Sequence, residues 1–202
     1  MRIHAFIGAR GPGGNTSLLL DRLLEQARAA GAETERFSLL DHPVASIADC
    51  RRCDRYHGCT NADQGAWLID RMLEADTIVI ASPIYWGGPS AQLKAFLDRW
   101  SCVPDGDMKA RIAGKRLAGL TAYGNPDDAA PVPFRLILEN LVGYFSLPPL
   151  EFLSIFCDRH GDANTPETLA SVDAFAAHLL QPSPPAPGNP APRPPPPGSP
   201  VL

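Results

Sequence analysis

The chain has 202 residues, 45% of them apolar and 20% charged, with a formal net charge of −4. That length allows one domain with a sizeable core, and the composition is that of a globular protein. The mild acidity excludes a general attraction to nucleic acid or to an anionic membrane surface, and no apolar run approaches the roughly 18 residues of a membrane span.

The first residues read as a strand, Arg2–Ile7, rather than as a basic segment leading into a long apolar stretch. No secretion signal is therefore expected, and a cytoplasmic location is. The strand runs into Gly8-Ala9-Arg10-Gly11-Pro12-Gly13-Gly14-Asn15-Thr16-Ser17. A helix over about Thr16–Ala30 follows, with Gly31 as its stop. Strand Glu33–Ser38 leads to a long irregular segment, Leu39–Ala62, which carries Cys50, Cys53 and Cys59. Helix Ala66–Glu74 and strand Thr77–Ala81 come next, then the Pro/Gly-rich turn Ser82–Pro89. A helix over Ser90–Trp100 is opened by Ser90. Strand Arg116–Ala122 follows the Gly114-Lys115 turn. Helix Pro133–Phe145, strand Leu150–Phe156 and helix Pro166–Leu180, with Thr165 as N-cap, complete the pattern. Strands alternating with helices predict an α/β protein: a three-layer α/β/α domain over residues 1–180 around a five-stranded parallel sheet of order 2-1-3-4-5. From Gln181 onward the chain holds half of its 22 prolines and almost nothing apolar. Residues 181–202 read as a disordered, polyproline-like tail, either a solvated extension or a docking peptide for a proline-binding module.

The chemistry gathers at the loops that follow strands. Ligands bind at the carboxyl ends of strands in open parallel sheets. The first loop lies between a strand and a helix, where glycines admit an anion and the helix amides attract it. Arg10 can add charge, and Gly14, Asn15, Thr16 and Ser17 can add amides and side-chain donors. The loop lacks the Gly-Lys-Ser/Thr ending of a triphosphate loop, and a plain strand–helix turn is the competing reading. In the second loop, Pro83, Ile84, Tyr85, Trp86 and Gly87 offer backbone amides and an aromatic wall to a flat heterocycle. Tyr85 and Trp86 could instead pack against a helix or a second subunit. The third loop, Tyr123-Gly124-Asn125, suits a tight turn at the same edge. Together the loops point to a flat cofactor with a phosphate tail. Of the other candidates, Asp98 and Arg99 read as a local pair or cap and His4 as structural. Asp158 and His160 could reach the site rim.

These pieces resemble the NADPH-dependent FMN reductase family of flavodoxin-like proteins over roughly residues 1–180. The likeness is densest at Gly8…Gly14-Asn15-Thr16-Ser17-Leu18-Leu19, at Ala75–Trp86, and at Leu93-Lys94-Ala95-Phe96-Leu97-Asp98-Arg99. The resemblance implies that the first loop holds the FMN phosphate. It also implies that Pro83–Gly87 lies along the isoalloxazine and that Tyr123–Asn125 forms a third wall. It further implies a ping-pong oxidoreductase in which NADPH or NADH reduces the flavin, leaves, and a small electron acceptor takes the electrons. Quinones, free flavin, nitroaromatics or a specialised metabolite are the acceptors expected. A homodimer or homotetramer is implied in the same way. The loop departs from the family's Gly-Ser-Pro-Arg: Ala9, Arg10 and Gly11 stand at its last three positions, so the serine hydroxyl is lost and the arginine displaced.

The cysteine segment is similar to the branch that contains iron–sulfur flavoproteins. A four-iron cluster needs four thiolates, and Tyr56 stands where another cysteine is usual, so Cys102 or Cys157 would have to join Cys50, Cys53 and Cys59. Zinc on Cys50, Cys53, His57 and Cys59, or a Cys50–Cys53 disulfide, are alternatives. We read the segment as a cluster-free loop near the flavin mouth, where Arg51, Arg52 and Arg55 could meet a phosphate of NADPH or simply face solvent. Two other classes of function stay open. One is an FMN electron carrier fed by a partner, with a metal or iron–sulfur centre at Cys50, Cys53 and Cys59. The other is a non-catalytic scaffold that uses the tail.

Overall fold

Five short segments pair side by side as β1 (Arg2–Ile7), β2 (Glu33–Ser38), β3 (Thr77–Ala81), β4 (Arg116–Tyr123) and β5 (Glu151–Phe156). All pairings are parallel and the order is β2-β1-β3-β4-β5. The computed structural model describes residues 1–9, 11, 13–48, 61–103 and 105–184. Arg10, Pro12, Pro104, residues 49–60 with Cys50, Cys53 and Cys59, and the tail from residue 185 lie outside the described residues.

Side chains alternate across each strand. Ile3, Ala5 and Ile7 of β1 and Val79 and Ala81 of β3 face one side, where helices α1 (Asn15–Ala29) and α6 (Pro166–Leu179) cover them with Leu19, Leu20, Leu23, Val172 and Leu179. Phe6, Ile78, Ile80 and Leu117 face the other side. They meet α2 (Gly65–Glu74), α3 (Ala91–Arg99), α4 (Asp105–Ile112) and α5 (Val132–Phe145). Phe6 lies between Phe37 and Phe96, stacked at 5.1 and 4.9 Å. Gly119 of β4 is required here: a Cβ on it would stand 2.4 Å from the Phe152 ring and 2.7 Å from Leu138.

The helix ends follow from their residues. Gly31, at φ +90°, donates its amide to Arg28 O, and Ala32 N–H donates to Ala27 O, the paired bonds of a Schellman stop. Ser90 Oγ accepts from Leu93 N–H and Thr165 Oγ1 from Thr168 N–H, as N-caps do. Buried Arg116 donates to the carbonyls of Leu179 (2.5 Å) and Gln181 (3.0 Å), closing the end of α6.

The structure departs from the expected pattern after β3. The helix expected over Ser90–Trp100 ends at Arg99, and Trp100–Cys102 forms a 3₁₀ turn. An unforeseen helix, α4, follows. Asp98 and Arg99 do not pair with each other: Asp98 binds Lys94, and buried Arg99 binds Asp63 at 2.6 Å. Neighbouring residues on a helix point in different directions. Gly65 makes room for the Arg99 guanidinium, which would lie 3.0 Å from a Cβ there. His4, read as structural, holds Arg71 O at 2.5 Å through Nδ1.

The Asp63–Arg99 pair sets a pH dependence. Burial acts to raise the Asp63 carboxyl, but hydrogen bonds from Gly65 N–H, Arg99 and Ala45 N–H outweigh it, and the net shift is downward. The carboxylate therefore stabilises the fold above the ordinary aspartate value, about pH 4, and this stability is lost as pH falls through the lowered value. Asp63→Asn is expected to cost about 3 kcal/mol at neutral pH. It should also flatten the acid limb of a denaturant-midpoint profile. An unchanged acid limb would contradict the pair's role.

Candidate functional site

β1, β3 and β4 end on the same edge, and their following loops are tied together there. Gly8 N–H donates to Ala81 O at 3.0 Å and Ser82 N–H to Leu120 O at 3.1 Å, so the first residue of each loop is still held by the neighbouring strand. Ser82 is fully buried. Its hydroxyl donates to Pro83 O and accepts from Ser90 N–H, both at 2.8 Å. Thr121 Oγ1 donates to Ser82 O at 2.6 Å. The ends of the loop that carries the aromatic pair are thus locked eight residues apart.

Gly8 joins this loop to the first one. A Cβ on Gly8 would stand 2.2 Å from Ser90 Oγ and 2.7 Å from Leu93 Cβ. Only glycine lets β1 and the start of α3 approach this closely, because a Cβ would overlap both neighbours.

The first loop delivers an open helix start. Gly14 is the N-cap of α1, with φ −71° and ψ 148°. Its carbonyl accepts from Leu18 N–H at 2.9 Å. It has no side chain to cap the first-turn amides, and the first turn holds no acidic residue. That arrangement suits an external anion. Thr16 and Ser17 are buried in this turn. Asn15, expected to donate to a ligand, is engaged elsewhere: Nδ2 donates to Arg159 O at 2.7 Å, and Oδ1 accepts from Gly161 N–H at 2.8 Å. It fastens the loop after β5 to the start of α1.

Tyr85 and Gly88 exchange backbone hydrogen bonds of 2.9 and 3.0 Å, which makes a two-residue hairpin. Trp86 (φ +52°) and Gly87 (φ +78°) are its centre. Two positive φ values define a type I′ turn. A tryptophan there is strained, by about 1–3 kcal/mol. Gly87 sits over Pro133 of α5, whose Cγ would be 3.1 Å from a Cβ. The pinned turn leaves Trp86 fully exposed and Tyr85 mostly so. Of the two open readings of the pair, packing against a helix of the same chain is excluded for the Trp86 side chain.

The third loop divides between the sheet and the surface. Tyr123 is the last residue of β4, buried with 8% of its surface exposed, and its ring meets Phe156 edge-on at 5.9 Å. Burial, with the Asp128 carboxylate beside it, pushes the phenol up and keeps it protonated. Asn125 Oδ1 accepts from Asp127 N–H at 3.0 Å and closes an Asx turn. Gly124 and Asn125 themselves are exposed at the edge. Sequence reasoning missed two features: the half-exposed Phe156 at the tip of β5, which carries no mark in the local pattern, and the Gly8–Ser82–Ser90 junction. The paired serines bracketing a Pro/Gly-rich turn were the available signal for the junction. Arg10 and the three clustered cysteines lie outside the described residues. Cys102 is half-buried, and Cys157 is a buried thiol held protonated by burial and by the charge of Asp162.

The profile described as NADPH-dependent FMN reductase matches residues 1–149. An iron–sulfur flavoprotein of Methanocaldococcus jannaschii is 32% identical over 63% of this chain and 66% of its own length. One of Methanosarcina thermophila is 32% identical over 49% of this chain and 52% of its own. The chain thus spans about half to two thirds of the length of these curated relatives. The structure of an NAD(P)H:quinone oxidoreductase from Methanothermobacter marburgensis superposes with a TM-score of 0.69, covering 90% of this chain and 96% of that one at 14% identity. At that identity the likeness is one of fold.

Gly8→Ala is expected to destabilise the protein by about 1–3 kcal/mol, since the new methyl group overlaps two neighbours. Adding Ser90→Gly should recover part of that loss by removing the nearer one. Thermal melts of the single and double variants test this as a mutant cycle. Additive losses would contradict the contact.

Proposed function

Because the chain belongs to the NADPH-dependent FMN reductase family, whose members are FMN-binding oxidoreductases, we propose that it binds FMN across the two joined loops. With this cofactor it reduces a small acceptor at the expense of NADPH or NADH. The observation that carries the reading is the Gly8–Ser90 contact, which fixes an uncapped helix start beside an exposed aromatic turn on one sheet edge.

Each part has a role in this proposal. The amides of Gly13–Ser17 hold the phosphate, with Arg10 supplying charge. Pro83, Ile84, Tyr85, Trp86 and Gly87 border the ring, their conformation set by Ser82. Gly124 and Asn125 close the third side, and Tyr123, buried beneath them, supports that loop. Bound FMN supplies two-electron chemistry, and the protein orients and tunes it, so no side chain need take part in covalent catalysis. Quinones, free flavin, nitroaromatics or a specialised metabolite are the acceptors, taken up in a ping-pong cycle after the nicotinamide leaves. A second copy fits the exposed apolar residues Trp86, Val132, Leu136 and Tyr144, supporting a homodimer or homotetramer. Among the described residues no helix is long and apolar enough to cross a membrane. The reductase is proposed to act in the cytoplasm.

The test is a visible spectrum of protein purified without oxygen, before and after NADPH. Flavin bands that bleach support the reductase. A colourless protein that takes up no added FMN contradicts it. Bands that persist with NADPH and NADH favour a partner-fed FMN carrier, a reading kept in view by the iron–sulfur flavoprotein names of the relatives. For the ping-pong cycle, initial rates at several NADPH concentrations should give parallel double-reciprocal lines against the acceptor. Intersecting lines would contradict it.

A further inference from the structure

We infer that the loop after β5 is a second wall of the phosphate site, and that His160 within it selects a phosphate-bearing flavin over riboflavin. This rests on the FMN reading above and adds a residue from the far end of the chain. Apart from Arg10, no residue from Gly8 to Gly14 carries a side-chain donor. Ala9 carries no hydroxyl, Gly14 caps α1 without a side chain, and Asn15 is committed elsewhere.

Asn15 makes three hydrogen bonds to the loop: to Arg159 O, from Gly161 N–H and, more weakly at 3.4 Å, from Ala163 N–H. They press the loop onto the start of α1. The edge of the His160 imidazole consequently faces Gly13. Its Cε1 and Nε2 would lie 3.9 and 4.0 Å from a Cβ on Gly13, whose φ is +102°. Glycine at that position leaves no side chain between the imidazole and the loop backbone.

The other charged groups of this loop are already engaged. Asp162 accepts from Arg159 N–H at 2.7 Å, and Asp158 lies 3.7 Å from the Arg159 guanidinium. His160 is exposed and makes no hydrogen bond to another described residue. An imidazole N–H beside the amides of Gly13 and Gly14 is suited to a phosphate oxygen, and hydrogen bonds to ionised acceptors are roughly twice as strong as neutral ones. Riboflavin offers no such acceptor. The loss of the family's serine would then be offset from a loop nearly 150 residues away.

The test is the dissociation constant of FMN and of riboflavin, from quenching of flavin fluorescence at one pH and salt concentration. The proteins are the full chain, His160→Ala, His160→Gln, Asn15→Ala and the Asn15→Ala/His160→Ala double variant. His160→Ala should weaken FMN about ten-fold, the scale of one hydrogen bond to a charged group, and leave riboflavin unchanged. His160→Gln, which keeps an N–H donor, should recover part of the difference. Asn15→Ala should reduce the same preference for FMN over riboflavin, with little further loss in the double variant, because it acts by releasing His160. An unchanged FMN constant in His160→Ala, or equal losses for both ligands, overturns the inference and leaves the flavin reading intact. A full chain that binds neither ligand overturns the flavin reading, and this inference with it.

Discussion

The close approach of Gly8 to Ser90 is the constraint on which the site depends. β1 and β3 are neighbours in the sheet, but they lead into different segments: β1 into a glycine loop and α1, β3 into a Pro/Gly turn and α3. Without a Cβ at position 8, Ser90 can sit over the end of β1 while Ser82 holds its amide from below. A helix start suited to an anion and a turn suited to a flat ring are thereby fixed at one spacing. Preorganisation of this kind lowers the entropy lost when a ligand binds.

The same junction accounts for the strain tolerated at Trp86. A bulky residue with positive φ persists only where its surroundings leave it no alternative. Here Tyr85 and Gly88 bond each other, Gly87 is pinned over Pro133, and both loop ends are locked by Ser82 and Thr121. The turn cannot relax without breaking one of these. On the far side of the site, Asn15 does for the loop after β5 what Ser82 does for the aromatic loop. Each is a polar side chain committed to holding backbone, which leaves the ligand to be met by amides and by the few side chains that project from the turns.

Much of this was legible in the residues. The bounds of β1 and β3 follow directly from apolar runs ended by turn residues, and the helix caps at Ser90 and Thr165 follow from side-chain chemistry. α4 was not legible. Asp105–Ile112 carries large apolar residues only at Met108 and Ile112, one turn apart, and both are buried through tertiary packing rather than through any sustained period. The roles of Asn15 and Gly8 were out of reach for another reason: their partners stand far away along the chain, and spacing reports only local neighbours. The burial of Tyr123 was not legible because β4 runs one residue longer than expected, which carries the ring into the sheet edge.

As proposed, the loops after β1, β3 and β4 act as one FMN site. This is tested most directly by following backbone amide resonances of the ¹⁵N-labelled protein through an FMN titration. The amides of Gly13–Ser17, Ile84–Gly88 and Tyr123–Asn125 are expected to shift together and fit a single dissociation constant. Shifts confined to one loop, or two groups of residues titrating with different constants, would contradict it.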